Sequence, residues 1–275
     1  MIKLRKLLSI GIIYFLTFVF CTAVGSAENS HADSESHYLF IGSGFEGWQP
    51  IIRRGSADEA MNVFEITNKI IHVYANHPDG YQLNEKKNDT HGVLFTKKSY
   101  SRYSLKLEYK WGSKKINNFG AWQYDAGLFY HVTEAKIWPR GLEYQIRYNH
   151  LKNRNHTGDL WNLSGGPVTV YSDDKNTFKP WAQGGTVTPL ARGEFFALQN
   201  VQFNALNNKW NTVEIIVMGS RYAIHKLNGQ IVNILTDLPH SSGKIGLQAE
   251  TAEIYYRNIR IKQFENPVPI DQFIE

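Results

Sequence analysis

Residues 141–150 read GLEYQIRYNH. Leu142, Tyr144, Ile146 and Tyr148 alternate with Glu143, Gln145, Arg147 and Asn149, so an extended chain turns the four apolar side chains to one face and the four polar ones to the other. A strand that merely met solvent would need nothing more particular than Lys, Thr or Ser. Two opposite charges and two amides in one row are instead a set suited to hydrogen-bonding a polyhydroxylated ligand.

Other segments repeat the same period. YSLKLEYKW (103–111) puts Tyr103, Leu105, Leu107, Tyr109 and Trp111 on one face and Ser104, Lys106, Glu108 and Lys110 on the other, which predicts a half-buried strand. VFEITNKIIHVY (63–74) divides at Thr67-Asn68-Lys69 into two short strands, and 210–218 with 221–227 forms a hairpin about Gly219-Ser220. Asn228-Gly229 supplies the next turn, a dipeptide that accepts the positive φ angles of type I′. Two last strands run through 246–248 and 254–261. Beyond residue 27 no apolar stripe at helical spacing exceeds about two turns, and 59–62 is at most a short helical turn. Strands about ten residues apart with turn signals between them predict an all-β fold, a two-sheet jelly-roll β-sandwich. Residues 149–209, with Gly165-Gly166-Pro167 and Gly184-Gly185, are the irregular region, and loops of that length in a compact domain are usually binding elements.

The first 27 residues carry Lys3, Arg5 and Lys6, an apolar run over 7–20 and small residues ending at Ser26-Ala27, the order a signal peptidase reads. This predicts a signal peptide over 1–27, a single domain over 28–275, export to the periplasm or medium, and no membrane span in the mature chain. Phe20 precedes Cys21 where a lipidated cysteine normally follows a small residue, so lipoprotein anchoring is the weaker alternative. Cys21 is the only cysteine, which leaves the mature chain without disulfides or thiolate metal ligands. Removing the three basic residues of the leader takes the formal charge from +5 to +2. With no basic cluster left, nucleic acid is not an expected partner.

Seven stretches resemble, in order, the secreted 3-keto-disaccharide hydrolase domain family, placed with the concanavalin A-like lectin/glucanase sandwiches. They are LFIGSGFEGW (39–48), GVLFTKKSYSRYSLKLEYKW (92–111), DAGLFYHV (125–132), GLEYQI (141–146), HTGDLW (156–161), KWNTVEIIVMGSRYAIHKLNGQIV (209–232) and SSGKIGLQAETAEIYYRNIRIKQF (241–264). The resemblance implies a concanavalin A-like jelly roll whose concave sheet binds sugar, and hydrolysis or elimination at a glycosidic bond of a sugar oxidised at C3. The segment over 170–203, rich in aromatic residues and glycine, departs from the pattern and suggests a polysaccharide as one possible substrate.

Sandwich glucanases of the retaining kind carry two carboxylates on one strand face, because carboxyls about 5 Å apart serve as nucleophile and acid/base. Here Glu143 is followed by Gln145 and Arg147, so ordinary double displacement lacks its second carboxylate. One carboxylate among donors suits a different step. A ketone at C3 acidifies the hydrogen at C2, Glu143 removes it, and Arg147 or Gln145 holds the enolate oxygen. The alternative is a plain Glu143–Arg147 ion pair that orients a binding surface. Asp125 and His131 share parity in DAGLFYHV and would face the same cleft if their strand neighbours 142–149; His131 suits proton transfer, Asp125 hydroxyls or a cation. In HTGDLW, His156 is a candidate donor to the leaving oxygen and Asp159 its orienting partner, although an Asx turn accounts for Asp159 equally well. Asn149 closes the polar row. Trp122, Trp138 and Trp161, together with Trp181, fall in or beside expected loops and are candidate sugar-stacking platforms, a core role being the alternative. No HExxH spacing occurs among the ten histidines, which gives a zinc protease no support; no cofactor is singled out by these residues, and a structural or site Ca2+ stays open as an alternative to none. Asn-x-Ser/Thr matches stand at Asn88, Asn155 and Asn162. The expected partner is an oligo- or polysaccharide, met by an enzyme or, on the same fold, by a noncatalytic lectin-like module.

Overall fold

The computed structural model describes residues 35–79, 90–117 and 122–274, so the leader expected over 1–27 and Asn88 lie outside the described residues. In chain order the strands are β1 (His37–Tyr38), β2 (Trp48–Ile52), β3 (Phe64–Thr67), β4 (Ile70–Val73), β5 (Gly92–Thr96), β6 (Arg102–Lys115), β7 (Tyr124–Glu134), β8 (Arg140–Asn149) and β9 (Arg154–Asn155). There follow β10 (Leu160–Asn162), β11 (Val168–Ser172), β12 (Thr186–Leu190), β13 (Gly193–Phe195), β14 (Asn211–Met218), β15 (Tyr222–Leu227), β16 (Gln230–Thr236), β17 (Lys244–Ala249) and β18 (Ala252–Gln263). Two short helices are α1 (Ala57–Val63) and α2 (Asp271–Ile274). A capping box starts α1: Ser56 Oγ accepts from Glu59 N at 3.2 Å and Glu59 Oε2 accepts from Ser56 N at 2.6 Å, and the helix buries Ala60 and Val63.

One sheet has ten strands in the order β12-β11-β16-β15-β14-β6-β18-β4-β3, with β1 on β18; the other has eight in the order β13-β10-β8-β7-β17-β5-β2, with β9 on β8. This is the two-sheet jelly roll that period two predicts. On β6 the faces separate as expected: Tyr103, Leu105, Leu107 and Tyr109 are fully buried, while Lys106 is exposed. They meet Leu142, Tyr144 and Ile146 of β8 in one core between the sheets. The β15–β16 turn has Asn228 at φ 49 and Gly229 at φ 84, the left-handed pair that type I′ requires.

The structure corrects the reading of 149–209 as irregular. β10 and β13 widen the eight-stranded sheet and β11 and β12 the ten-stranded one. Val168–Ser172 buries alternate residues like the other strands, but Gly and Pro on either side shorten the pattern below what periodicity detects. Trp161 therefore lies on a strand, not in a loop. Asn155 and Asn162 are buried and bonded, the first accepting from Thr157 N at 2.8 Å and the second donating to Leu190 O at 2.8 Å, so neither presents an amide to a glycan. No helix among the described residues is long and apolar enough to cross a membrane.

Candidate active site

The polar row of β8 lies on the face of the eight-stranded sheet turned away from the core. Strand pairing sets its neighbours: Asp125 stands opposite Arg147, Gly127 opposite Gln145 and Phe129 opposite Glu143 on β7, while Trp161 of β10 is opposite Glu143 and Glu194 of β13 opposite Trp161. In an antiparallel pair, opposite residues share a face. The row is sheltered, with Glu143 4%, Gln145 5%, Arg147 7% and Asp125 9% exposed. Gly127 makes room for it. A Cβ there would lie 2.8 Å from Glu143 Cδ and 3.0 Å from Gln248 Oε1, so the Glu143 carboxylate rests across β7 in space that any side chain would take.

Two charged groups share the floor. The first consists of Asp125, Glu143 and Glu250. Burial pushes the Asp125 and Glu143 carboxyls well above the usual carboxylate range, and mutual repulsion adds to it, Glu250 acting on Asp125 and Asp125 on Glu143. Burial and then Glu143 raise Glu250 to about 8. Arg147 works against all three rises, and Gln145 Nε2 donates to Asp125 Oδ1. Carboxyls held in this way do not all ionise near neutral pH, so the set holds at least one proton where it can be given up.

The second group surrounds Arg147. Its guanidinium pairs with Glu194, lies 3.7 Å from Asp159 Oδ2 and 3.5 Å from His156 Nδ1, and stacks 4.1 Å from the centre of the Trp122 ring. Burial opposes its charge, but Asp125, Glu194 and Asp159 more than compensate and raise its pKa. His156 Nδ1 is 2.7 Å from Asp159 Oδ2, and Ala197 N donates to Asp159 Oδ1 at 2.7 Å. Ligand atoms of His156, Asp159 and Glu194 approach within 4.8 Å of one another. They do not fit the expected Ca2+: the ion wants six to eight oxygens, and the guanidinium already supplies positive charge in the same space.

Among the residues picked out from sequence, the structure gathers Glu143, Gln145, Arg147, Asp125, His156, Asp159 and Trp122. Three positions differ from expectation. His131 does not share the face of Glu143, because β7 bulges between Tyr130 and Glu134 and His131 takes φ 48. Its ring is buried near the backbone of Ser101 and His240, and burial pushes its pKa down to about 4. Asn149 caps a turn, its Oδ1 accepting from Lys152 N at 3.0 Å. Asp159, 0% exposed, takes the orienting position expected of it, against His156 and Arg147. Trp138 is 49% exposed on the β7–β8 connection, edge-on to His91 at 6.0 Å, and no ring contact joins it to Trp161 among the described residues. Trp122 lies against Arg147, so that ring face is covered. Glu194, Gln248 and Glu250 were missed. The alternation Gly246, Gln248, Glu250 in GLQAE could have shown the last two; Glu194 follows a glycine in a segment with no period.

A family model described as 3-keto-alpha-glucoside-1,2-lyase-like domain matches residues 35–262, the family that the seven stretches resemble. Two solved structures of glycosyl hydrolase candidates from Parabacteroides distasonis ATCC 8503 are 19% and 18% identical to the chain, each at a TM-score of 0.50 over 84% of it and covering 94% and 100% of their own length. A carbohydrate-binding module from Bacillus subtilis is 12% identical over 79% of this chain and 96% of its own, at a TM-score of 0.44. The search of curated proteins finds no match. At such identities the two Parabacteroides structures speak to the fold.

Proposed function

Since the chain belongs to the 3-keto-alpha-glucoside-1,2-lyase-like domain family, we propose that it breaks the glycosidic bond of a small neutral saccharide bearing a ketone at C3, by elimination across C1 and C2. The observation that carries this reading is the buried set Asp125, Glu143 and Glu250, all raised above ordinary carboxyl values, beside one fixed cation, Arg147. Glu143 takes the proton from C2. The C2–H electrons form the C1–C2 double bond as the C1–O electrons leave with the departing sugar, whose oxygen gains a proton. No oxidant is consumed, since the ketone is already present in the substrate. A base with a raised pKa is better matched to a weakly acidic C–H than an ordinary carboxylate. Glu250, protonated below about 8, is the candidate donor to the leaving oxygen.

Arg147 Nε and Gln248 Oε1 are buried without partners among the described residues, and buried polar groups are rarely left so. A sugar oxygen for Arg147 and a hydroxyl hydrogen for Gln248 would satisfy both. The charge balance supports a neutral ligand. Arg147 is engaged by Glu194 and Asp159, while three carboxyls crowd the same floor, so a uronate would meet repulsion. Floor groups under a tenth exposed favour a small saccharide over a polymer lying in an open groove. The leader expected over 1–27 from sequence is what supports reading the enzyme as exported.

The test is incubation with a neutral disaccharide and its 3-oxidised form, read by mass spectrometry. Elimination gives an unsaturated keto sugar lighter by one water than the hydrolysis product. Glu143→Gln should cut turnover by about 10²- to 10⁴-fold, the usual range for lost general-base catalysis, and keep binding. A wild type that binds both sugars and converts neither supports the lectin-like alternative.

A further inference from the structure

We infer that His225, on β15 inside the sandwich and distant in sequence from every group above, is a positioning residue that holds the His156–Asp159 turn through the carbonyl of Gly158. The inference rests on the reading of that turn as part of the active site. His225 is 0% exposed, and its Nδ1 lies 3.0 Å from Gly158 O while its Nε2 lies 2.9 Å from Tyr130 Oη. A carbonyl only accepts, so Nδ1 carries the hydrogen and Nε2 accepts from the tyrosine hydroxyl. Both ring nitrogens are thereby used and the tautomer is fixed. The rings of Tyr144 at 4.7 Å and Tyr130 at 5.6 Å hold the imidazole in place. Burial pushes its pKa down to about 4, so the neutral ring and its hydrogen-bond direction persist at ordinary pH.

Gly158 is the point where this tether can act on the floor. Its N donates to Gln145 O at 2.9 Å, and Gln145 N donates to Asp159 O at 2.9 Å, which locks the turn to the strand bearing Glu143. Gly158 has φ 102, and a Cβ on it would fall 2.5 Å from Val232 Cγ2, so the backbone lies tight against the core where the imidazole reaches it. His156, two residues before it, and Asp159, the residue after it, then make the 2.7 Å contact that orients Arg147. A second core group, Tyr109 Oη, lies 2.9 Å from Thr157 Oγ1. The ten-stranded sheet thus fixes from below the groups that the eight-stranded sheet presents above.

Two substitutions separate positioning from bulk. His225→Asn keeps an amide N–H near the place of Nδ1, and His225→Gln moves it to the place of Nε2. Both lose ring volume in the core. The asparagine variant should keep turnover within roughly 10-fold, and the glutamine variant should lose roughly 100-fold, the penalty expected for misplacement by about 1 Å. A second readout needs no substrate: the His156 Nδ1–H resonance, held by Asp159, should stay slow to exchange in wild type and His225→Asn and exchange faster in His225→Gln. Equal behaviour of the two variants in that resonance would overturn the inference, leaving His225 as core filling. If both variants fail to fold, ¹⁵N chemical shifts of the wild type decide: a neutral Nδ1–H tautomer of His225 between pH 5 and 8 is required, and an Nε2–H tautomer or a titration in that range refutes it. Absence of turnover in the wild type would count against the proposed reaction alone, because the resonance measurements still apply.

Discussion

Replacing Glu250 with glutamine should change how stability depends on pH. Glu250 is buried just after β17, and its carboxyl is raised from 4.5 to about 8 by burial first and then by Glu143. A folded pKa above the unfolded one means stability that is fully present below about 4.5 and is lost as pH rises towards about 8. At about 1.4 kcal/mol for each tenfold change in proton affinity, the complete loss is on the order of 5 kcal/mol, and roughly 3 kcal/mol of it falls between pH 5 and 8. Glutamine keeps the shape and cannot ionise. Asp125 and Glu143 are raised with the same sign in both proteins, and Asp125 is also relieved when Glu250 loses its charge, so the difference between proteins retains its direction. Urea unfolding at pH 5 and pH 8 measures it. Wild type should lose about 3 kcal/mol more than Glu250→Gln across that interval, a large part of a typical domain's stability. Parallel losses in the two proteins would refute the claim that the carboxyls on this floor share protons.

The turnover profile should be bell-shaped, with the falling limb near the Glu250 value of about 8, and Glu250→Gln should remove that limb; an unchanged limb assigns the acid elsewhere. Gly127→Ala should reduce turnover about as far as Glu143→Gln does, at a cost of roughly 1–3 kcal/mol typical of overpacking, because the methyl group takes the space of the Glu143 carboxylate. Full activity in that variant, assayed on the 3-keto sugar, would show that Glu143 need not lie across β7. Arg147→Lys keeps the charge but loses the planar stack on Trp122 and the fork to Glu194; thermal unfolding should shift down by roughly 1–3 kcal/mol. Trp161→Ala should raise KM about tenfold with less effect on kcat, as loss of a stacking surface beside Glu143 would.

Much of the fold was legible because period two is a local property. Tyr103 to Trp111 and Leu142 to Tyr148 declare their buried faces without reference to any partner strand, and the sandwich follows from burying both. The polar row was legible for the same reason. Its neighbours depend on register, which is non-local: nothing near Glu194 announces that β13 carries it to β10 and so to Arg147. His131 shows the limit from the other side. Its parity is right for the site, and one bulge with a left-handed residue turns it away. Asn149 was chosen for its chemistry, yet the backbone N–H of Lys152 uses that chemistry first. Short polar side chains near turns are commonly claimed by their own loop.

The distribution of carboxyls over strands bears directly on the chemistry. A retaining glycosidase needs two carboxyls about 5 Å apart on opposite sides of the same bond, and residues i and i+2 of one strand supply such a pair because they share a face roughly 6.6 Å apart along the chain. In this sheet the i+2 position from Glu143 is Gln145, an amide that donates to Asp125 instead. The acids grouped with Glu143, Asp125 and Glu250, come from β7 and from the residue after β17, so they approach Glu143 sideways across the ladder. A sideways set is poorly placed to act on both faces of a sugar ring, as double displacement requires. It is well placed to move protons along one face, from C2 to a carboxyl and from a neighbouring carboxyl to the leaving oxygen. Sheltering the floor strengthens each of these interactions, since charge is screened less where water is excluded. The same shelter raises the carboxyl pKa values, so the feature that costs stability at high pH is the one that gives Glu143 the basicity to take a carbon-bound proton.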